Sequence, residues 1–406
     1  MPSFPATTLR SSYQAGPGSE RPMVVLHLGS PTGLYGAERW ILALIRHLPI
    51  ERIESIVAAV KDAPGDEPAI CVEARKSGVR THVFEAHGKV SWAAVTQLRQ
   101  FILTQGVDVL HAHGYKTDIL GAIAVRGTAC KVVSTPHGWS ANAGPKLQIY
   151  EALDRLSFMF HHAVVPLSAD LYGGLKHWPV IRRRLHFIQN GVDLSEVDAA
   201  SGASSDLAEY KARGVPVVGY VGQLIPRKGI DVLIRAFAAL PFADKLLCIV
   251  GEGPQRSELE GLAVTLGISA QVRFLGYRQD RIELLKGFDV IALPSSLEGI
   301  PRCILESMAA RVVAVTTDIP GCRAVVEHGR TGLLFGVGDV AGLTDGLLTV
   351  LTNGALRESM ANAAEALVRG SFSAESMARH YADLYLSLMR DLGVSGSPSS
   401  GEREAS

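Results

Sequence analysis

Glu298 and Glu306 bracket a proline in the run Ser296-Leu297-Glu298-Gly299-Ile300-Pro301-Arg302-Cys303-Ile304-Leu305-Glu306. Pro301 suits the first turn of a helix, because it has no N–H to leave unsatisfied there. The backbone donors of Arg302 and Cys303 then point out of the helix N-terminus, and that end becomes an anion site suited to a diphosphate. Carboxylates beside a diphosphate repel it. Glu298, in the loop before the helix, and Glu306, about one and a half turns into it, are therefore expected to face neutral hydroxyls, one on a sugar and one on a ribose. Taken alone, the pair reads better as a dipole-complementing helix cap and a solvated helix residue.

The pair does not stand alone. Val221-Gly222-Gln223-Leu-Ile-Pro-Arg227-Lys228-Gly229 follows an apolar β-branched run and precedes a helix-periodic segment. Arg227 and Lys228 there are placed to neutralise the same diphosphate. In the first half, Ser30-Pro-Thr-Gly33-Leu-Tyr-Gly36-Ala37-Glu38 links a strand-like run to a helix, and its glycines let backbone approach a ligand. It lacks the G-x-G-x-x-G spacing of a dinucleotide site. Asp108-Val-Leu-His111-Ala-His113-Gly114 ends another apolar run; residues two apart share one face of a strand. His111 is expected within the strand as a packed core residue and His113 at its mouth, near the chemistry. His137 and Trp139 follow the next run and could shape an acceptor pocket or a structural turn. Asn190-Gly191-Val192-Asp193 reads as a simple turn. Lys176-His177-Trp178-Pro-Val-Ile-Arg182-Arg183-Arg184-Leu-His186 is the densest basic stretch, either a solvated surface or a contact with an anionic membrane.

These residues need elements to position them. Short β-branched runs at 23–28, 56–60, 81–84, 107–111, 131–134 and 163–166 alternate with helix-periodic segments, and a second set follows at 217–222, 246–251, 272–275, 290–293, 312–316 and 333–335. Alternation of that kind predicts parallel βαβ units with helices on both faces of each sheet. The fold class expected is α/β, two Rossmann-like doubly wound domains. Ligands bind at the carboxyl ends of such strands, so two sheets with those ends facing each other make a cleft.

The length of 406 residues also exceeds what one core usually serves. Lys+Arg and Asp+Glu balance at 40 each, which argues against a nucleic-acid partner. Cys71, Cys130, Cys248, Cys303 and Cys322 are scattered without a Cys/His cluster, so neither a disulfide framework nor a zinc site is expected. Residues 1–21 lack the apolar stretch of a signal peptide. No window reaches the roughly 20 apolar residues of a membrane span. A cytoplasmic protein, peripheral on the membrane at most, is the expectation.

In order along the chain stand Gly222-x-Leu-x-x-x-Lys228-Gly229, Gly251-x-Gly253-Pro254, Phe274-Leu275-Gly276, Pro294-Ser295-x-x-Glu298-Gly299-x-Pro301, Glu306, Met308-Ala309 and Glu327-x-Gly329-x-Thr331-Gly332. This resembles the family 4 retaining glycosyltransferases of GT-B fold over roughly residues 23–390, and the Glu298/Glu306 segment is similar to their E-x7-E motif. The resemblance implies transfer of a sugar, with retention of configuration, from a nucleotide-diphosphate sugar to a glycan or lipid-linked acceptor. A UDP-sugar is expected, with a GDP-sugar as the alternative, and cell-surface polysaccharide or glycolipid synthesis as the setting. It also implies roles. Glu298 contacts donor-sugar hydroxyls, Glu306 the ribose and Lys228 the diphosphate. His113 lies near the transferred sugar, and Gly36 abuts donor phosphate and acceptor.

Arg227, Gly299, Ile300, Arg302 and Cys303 complete the expected donor site. Gln223 stands where the family carries an arginine, and Ala310-Arg311-Val312 where it commonly has Gly-x-Pro. Neither a cofactor nor a metal is expected, since no acidic pair has metal-ligand spacing. A GT-B nucleotide-sugar epimerase and a non-catalytic nucleotide-sugar-binding relative are the alternatives. The organisation expected is a disordered segment 1–21, an acceptor-side domain 22–200, a linker 201–215, a nucleotide-sugar-binding domain 216–370, a helix 371–391 packing back on the first domain, and a disordered tail 392–406.

Overall fold

The computed structural model of the chain describes residues 21–31, 36–62, 65–86, 91–136, 145–167 and 169–390. Each β-branched run of the first half forms a strand: β1 (Met23–Gly29), β2 (Ile53–Lys61), β3 (Arg80–Glu85), β4 (Val109–His113), β5 (Lys131–Ser134) and β6 (Ala163–Val164). The second half repeats the pattern with β7 (Val217–Val221), β8 (Leu246–Val250), β9 (Val272–Gly276), β10 (Val290–Leu293), β11 (Val313–Thr317) and β12 (Gly332–Phe335). Spatial order is β3-β2-β1-β4-β5-β6 in one sheet and β12-β11-β10-β7-β8-β9 in the other, and every strand pair within them is parallel. Counted within its own half, each sheet therefore has the order 3-2-1-4-5-6 of a dinucleotide-type fold. The architecture is GT-B, two Rossmann-like domains.

β1 shows why these runs become central strands. All seven of its residues are buried. Met23 and Val25 pack into one apolar cluster, while Val24, Leu26 and Leu28 pack into another on the opposite face. A strand covered by helices on both faces cannot alternate apolar with polar, and must read as a continuous apolar run.

The two halves meet at a double crossing. Val192 donates its N–H to Phe372 and accepts from Ala374, so the outgoing and returning chains are held side by side. Asp193, in the Asn-Gly-Val-Asp turn, caps the helix Leu194–Ala199 by accepting from the amides of Ser195 and Glu196. Burial pushes its carboxyl up, but hydrogen bonds from His47 and Ser195 and the charge of Arg46 outweigh it and hold Asp193 below the usual range. Residues 201–215 do not form a free linker. They contain two short helical turns, and Leu207 and Val215 are buried in the core of the second half. Their Gly, Ser and Pro content marks a change of direction on the second domain's surface, and the crossing lies earlier, at 190–193. After the return, the helix Ala374–Arg390 buries Met377, Tyr381 and Tyr385 in the same cluster as Val25 and Trp40 of the first half.

Candidate active site

In a 3-2-1-4-5-6 sheet the strand order reverses between strands 1 and 4, and the loops leaving them diverge to open a crevice. In the second domain those strands are β7 and β10. The loop after β7 carries Gln223, Arg227 and Lys228, and the loop after β10 carries Glu298, Gly299 and Ile300. The backbone ties the loops together: Ser296 N–H donates to the Arg227 carbonyl at 2.8 Å, and the Arg227 guanidinium donates to the Leu297 carbonyl at 2.9 Å. Gly229, at φ 63°, turns the chain from Lys228 into the helix Ile230–Ala238, and a Cβ there would stand 2.4 Å from the Pro294 carbonyl. Only glycine combines that left-handed turn with so close an approach.

Lys228 Nζ pairs directly with the Glu298 carboxylate, and both side chains are nearly buried. This answers the electrostatic difficulty of a carboxylate beside a diphosphate. The ammonium neutralises Glu298 and keeps further N–H donors that an anion entering the cleft could accept from. Arg227 is about half exposed, 3.9 Å from Glu298. Behind Glu298, Pro301 precedes the helix Arg302–Ala309 rather than opening it, with φ −74° and ψ 109°. The amides of Ile304 and Leu305 bond to the Pro301 carbonyl, which leaves those of Arg302 and Cys303 outside the helix ladder. Burial pushes the Cys303 thiol up to about 12, which favours its neutral form where it lines the cleft.

Glu306 lies deeper than a solvated helix residue would. It is 3% exposed and accepts from Arg281 at 3.0 and 3.2 Å and from Arg302 at 3.1 Å. Burial alone would raise its carboxyl, but the charges of Arg281 and Arg302 prevail and hold it at about 2. Arg281 continues the chain of charge, donating twice at 2.8 Å to Glu196 beside the interdomain crossing.

From the first domain, Gly36 and Arg39 on the helix Gly36–His47 line the same cleft, and Arg39 donates to the Tyr277 hydroxyl at 3.0 Å across it. The cleft encloses about 1020 Å³ and is also lined by Lys228, Glu298, Gly299, Ile300, Arg302, Cys303 and Glu306. His113 ends β4 at the first domain's own switch point but does not line the cavity. It is 8% exposed and packs against Trp40, with ring centroids 5.5 Å apart, and Trp40 forms the wall. His111, one pleat further in, bonds Thr135 at 2.7 Å and the Tyr385 hydroxyl of the returning helix at 2.6 Å. His27 lies beside both, and burial pushes it down to about 3. His137, Trp139 and Gly33 lie outside the described residues.

The structure thus brings Glu298, Lys228, Arg227, Gly36, Arg302, Cys303 and Glu306 to one cavity and sets His113 one layer behind it. Arg39, Glu196, Tyr277 and Arg281 were missed from the sequence. Arg281 and Glu196 are 85 residues apart and Arg39 and Tyr277 are 238 apart, so no local spacing could have paired them. The one available signal was the position of Tyr277 directly after Gly276, at the carboxyl end of β9.

Residues 35–196 match the family described as Glycosyltransferase Family 4, and residues 207–367 match Glycosyl transferases group 1. The phosphatidyl-myo-inositol mannosyltransferase of Mycobacterium leprae is 30% identical over 295 residues, covering 69% of this chain and 74% of that protein. The lipopolysaccharide core biosynthesis glycosyltransferase LpsE of Rhizobium meliloti is 32% identical over 208 residues, 51% of this chain and 58% of the relative. Among solved structures, HepE of Anabaena in complex with UDP-glucose superposes with a TM-score of 0.77 at 23% identity, covering 90% of this chain and all of that one.

Proposed function

From the membership of this chain in the GT4-type glycosyltransferases of GT-B fold, we propose that it transfers the sugar of a UDP-sugar, with retention of configuration and without a metal ion, to a lipid-linked glycan acceptor. The observation that carries the reading is the Lys228–Glu298 pair at the switch point, beside the free amides of Arg302 and Cys303. Departure of a nucleoside diphosphate concentrates negative charge where Lys228 and those amides lie, and preorganised donors stabilise such charge without having to reorganise. Once phosphate engages Lys228, the Glu298 carboxylate is free to accept from sugar hydroxyls. Glu306 is held ionised and accepts from ribose hydroxyls. His113 reaches the sugar as the domains close and Trp40 shifts.

UDP is favoured because the solved relative carries UDP-glucose and because a second relative, from Escherichia coli, is named as a UDP-Gal:alpha-D-GlcNAc-diphosphoundecaprenol galactosyltransferase. That name and LpsE's favour an acceptor in lipopolysaccharide or lipid-linked glycan synthesis.

The test is Glu298→Gln beside the wild type, with UDP- and GDP-sugars, with and without EDTA, and with and without acceptor. Expected are a variant that binds UDP but transfers nothing, protection from heat by UDP and not GDP, and wild-type transfer that survives EDTA. A variant with most of the wild-type kcat would remove Glu298 from the mechanism. Donor conversion without acceptor would point to an epimerase instead.

A further inference from the structure

The helix Pro145–Ser157 and the turn Phe158–Phe160 that continues it are built inside out. Ile149, Leu153, Leu156 and Phe160 are 61%, 43%, 50% and 47% exposed, while Glu151, Asp154 and Ser157 are buried. Spacings of four, three and four residues put the apolar side chains on one helical face. A surface helix ordinarily turns its apolar face inward. Here the inward face is committed to polar partners. Asp118 lies buried beneath the helix, where burial pushes its carboxyl up to about 7. His161, itself buried just past the turn, packs 3.6 Å from it, while the Ser157 hydroxyl donates to the Asp154 backbone carbonyl. The helix is held in that orientation from beneath, and the outward apolar stripe is a fixed feature of the surface.

Cations surround the stripe. The Arg126 guanidinium lies 4.8 Å from the Phe160 ring centre. Arg184 donates to the Met159 carbonyl, which draws the turn Arg182–Arg184 against the end of the stripe. Lys176, Arg182 and Arg183 are exposed beside Trp178, Val180 and Phe187, and residues 176–187 contain no acidic side chain.

We infer that this face docks the first domain on an anionic lipid surface, with the stripe entering the headgroup boundary and the arginines meeting lipid phosphates. The inference rests on the reading that the acceptor is lipid-linked, and it names the surface that would bring the cleft to it. Apolar side chains rimmed by basic and aromatic ones are the chemistry of an interfacial helix. A second copy of this chain is the weaker occupant, because a two-fold contact sets each patch against its own image and opposes Arg182 and Arg183 to the same cations.

The experiment is co-sedimentation of the full chain with phosphatidylglycerol–phosphatidylethanolamine vesicles, and with neutral phosphatidylcholine vesicles, at low and high salt. Expected is binding to the anionic vesicles that salt weakens. Leu153→Ser with Leu156→Ser should lower the bound-to-free ratio about tenfold or more, since each leucine kept out of the acyl boundary forfeits much of its transfer free energy. Arg182→Ser with Arg183→Ser should lower it by a similar order on anionic vesicles only. Both double variants should keep the wild-type melting temperature within a few degrees and the wild-type UDP affinity, because the altered side chains are exposed and the leucines belong to no apolar core. Wild-type protein that stays in the supernatant at low salt, or a leucine variant that sediments like the wild type, overturns the inference. So does a wild-type dimer in sedimentation velocity that the leucine variant dissolves. Vesicle binding without UDP binding supports the docking surface and counts against the donor reading alone.

Discussion

Replacing Arg281 by methionine takes one guanidinium out of the cleft wall and leaves two carboxylates behind, and the two should respond differently. Glu196 is about a third exposed and can rehydrate, so its lost pair is expected to cost no more than about 1 kcal/mol. Glu306 is nearly fully buried and keeps only Arg302, at 3.1 Å. Removing one partner of a buried ion pair costs roughly 3–5 kcal/mol, and the remaining arginine places this case near 3. A domain of this size loses about 2–4 °C of melting temperature per kcal/mol, so Tm should fall by roughly 6–12 °C at neutral pH.

The pH dependence carries a sign. In the wild type Glu306 is held at about 2 against an ordinary 4.5, so its contribution is full above 4.5 and is lost as pH falls from 4.5 toward 2. In Arg281→Met the folded value rises toward the unfolded one, and that acid limb shrinks. Thermal unfolding at pH 7, 5 and 3 reads both effects, and Arg281→Met with Glu306→Gln should recover much of the loss, because the amide has no charge to strand. Two results would refute the reasoning: Arg281→Met melting within a degree or so of the wild type, or Glu196→Gln costing as much as Arg281→Met.

His113→Ala should lower kcat and leave UDP affinity unchanged, since the ring sits behind Trp40 and off the nucleotide side; equal and normal values of both would make it a packing residue only. Gly321→Ala would place a Cβ 1.9 Å from the Gly299 carbonyl and 2.3 Å from that of Glu298, so it should displace that loop and depress transfer by about tenfold or more while the far-UV spectrum stays native. A fully active alanine variant would show that the loop tolerates displacement. Arg311 is the one non-glycine residue with positive φ among those described, and its side chain bonds Asn362, Glu358 and Glu365 on a neighbouring helix. Arg311→Ala keeps the backbone strain and loses those contacts, so its denaturant midpoint should fall below that of Arg311→Gly by the equivalent of about 1 kcal/mol; the reverse order would remove the strain from the account.

Much of the architecture is legible in the sequence, because the signals involved are local. A strand covered on both faces must be a continuous apolar run, so twelve such runs mark twelve strands, and their alternation with helical stripes dictates parallel pairing. Lys228, Glu298, Gly299 and the amides after Pro301 are legible for the same reason. They sit where a strand ends and a helix begins, and that geometry belongs to a few consecutive residues.

What the sequence leaves open are contacts between distant segments. The pairing of Glu306 with Arg281, and of Arg281 with Glu196, depends on how β9, β10 and the interdomain crossing come together. The packing of Tyr381 on the Trp40 that screens His113, and the bond between Tyr385 and His111, come from a helix that returns some 270 residues after β4 to cover the first sheet. Arg311 shows the limit from the other side. Its left-handed backbone is one that glycine adopts most easily, and only the neighbouring helix, about 50 residues on, supplies the ion pairs that let an arginine hold it. Side-chain type and local period set each element and its ends, whereas a buried charge is placed by whichever distant partner the packing brings within hydrogen-bonding reach.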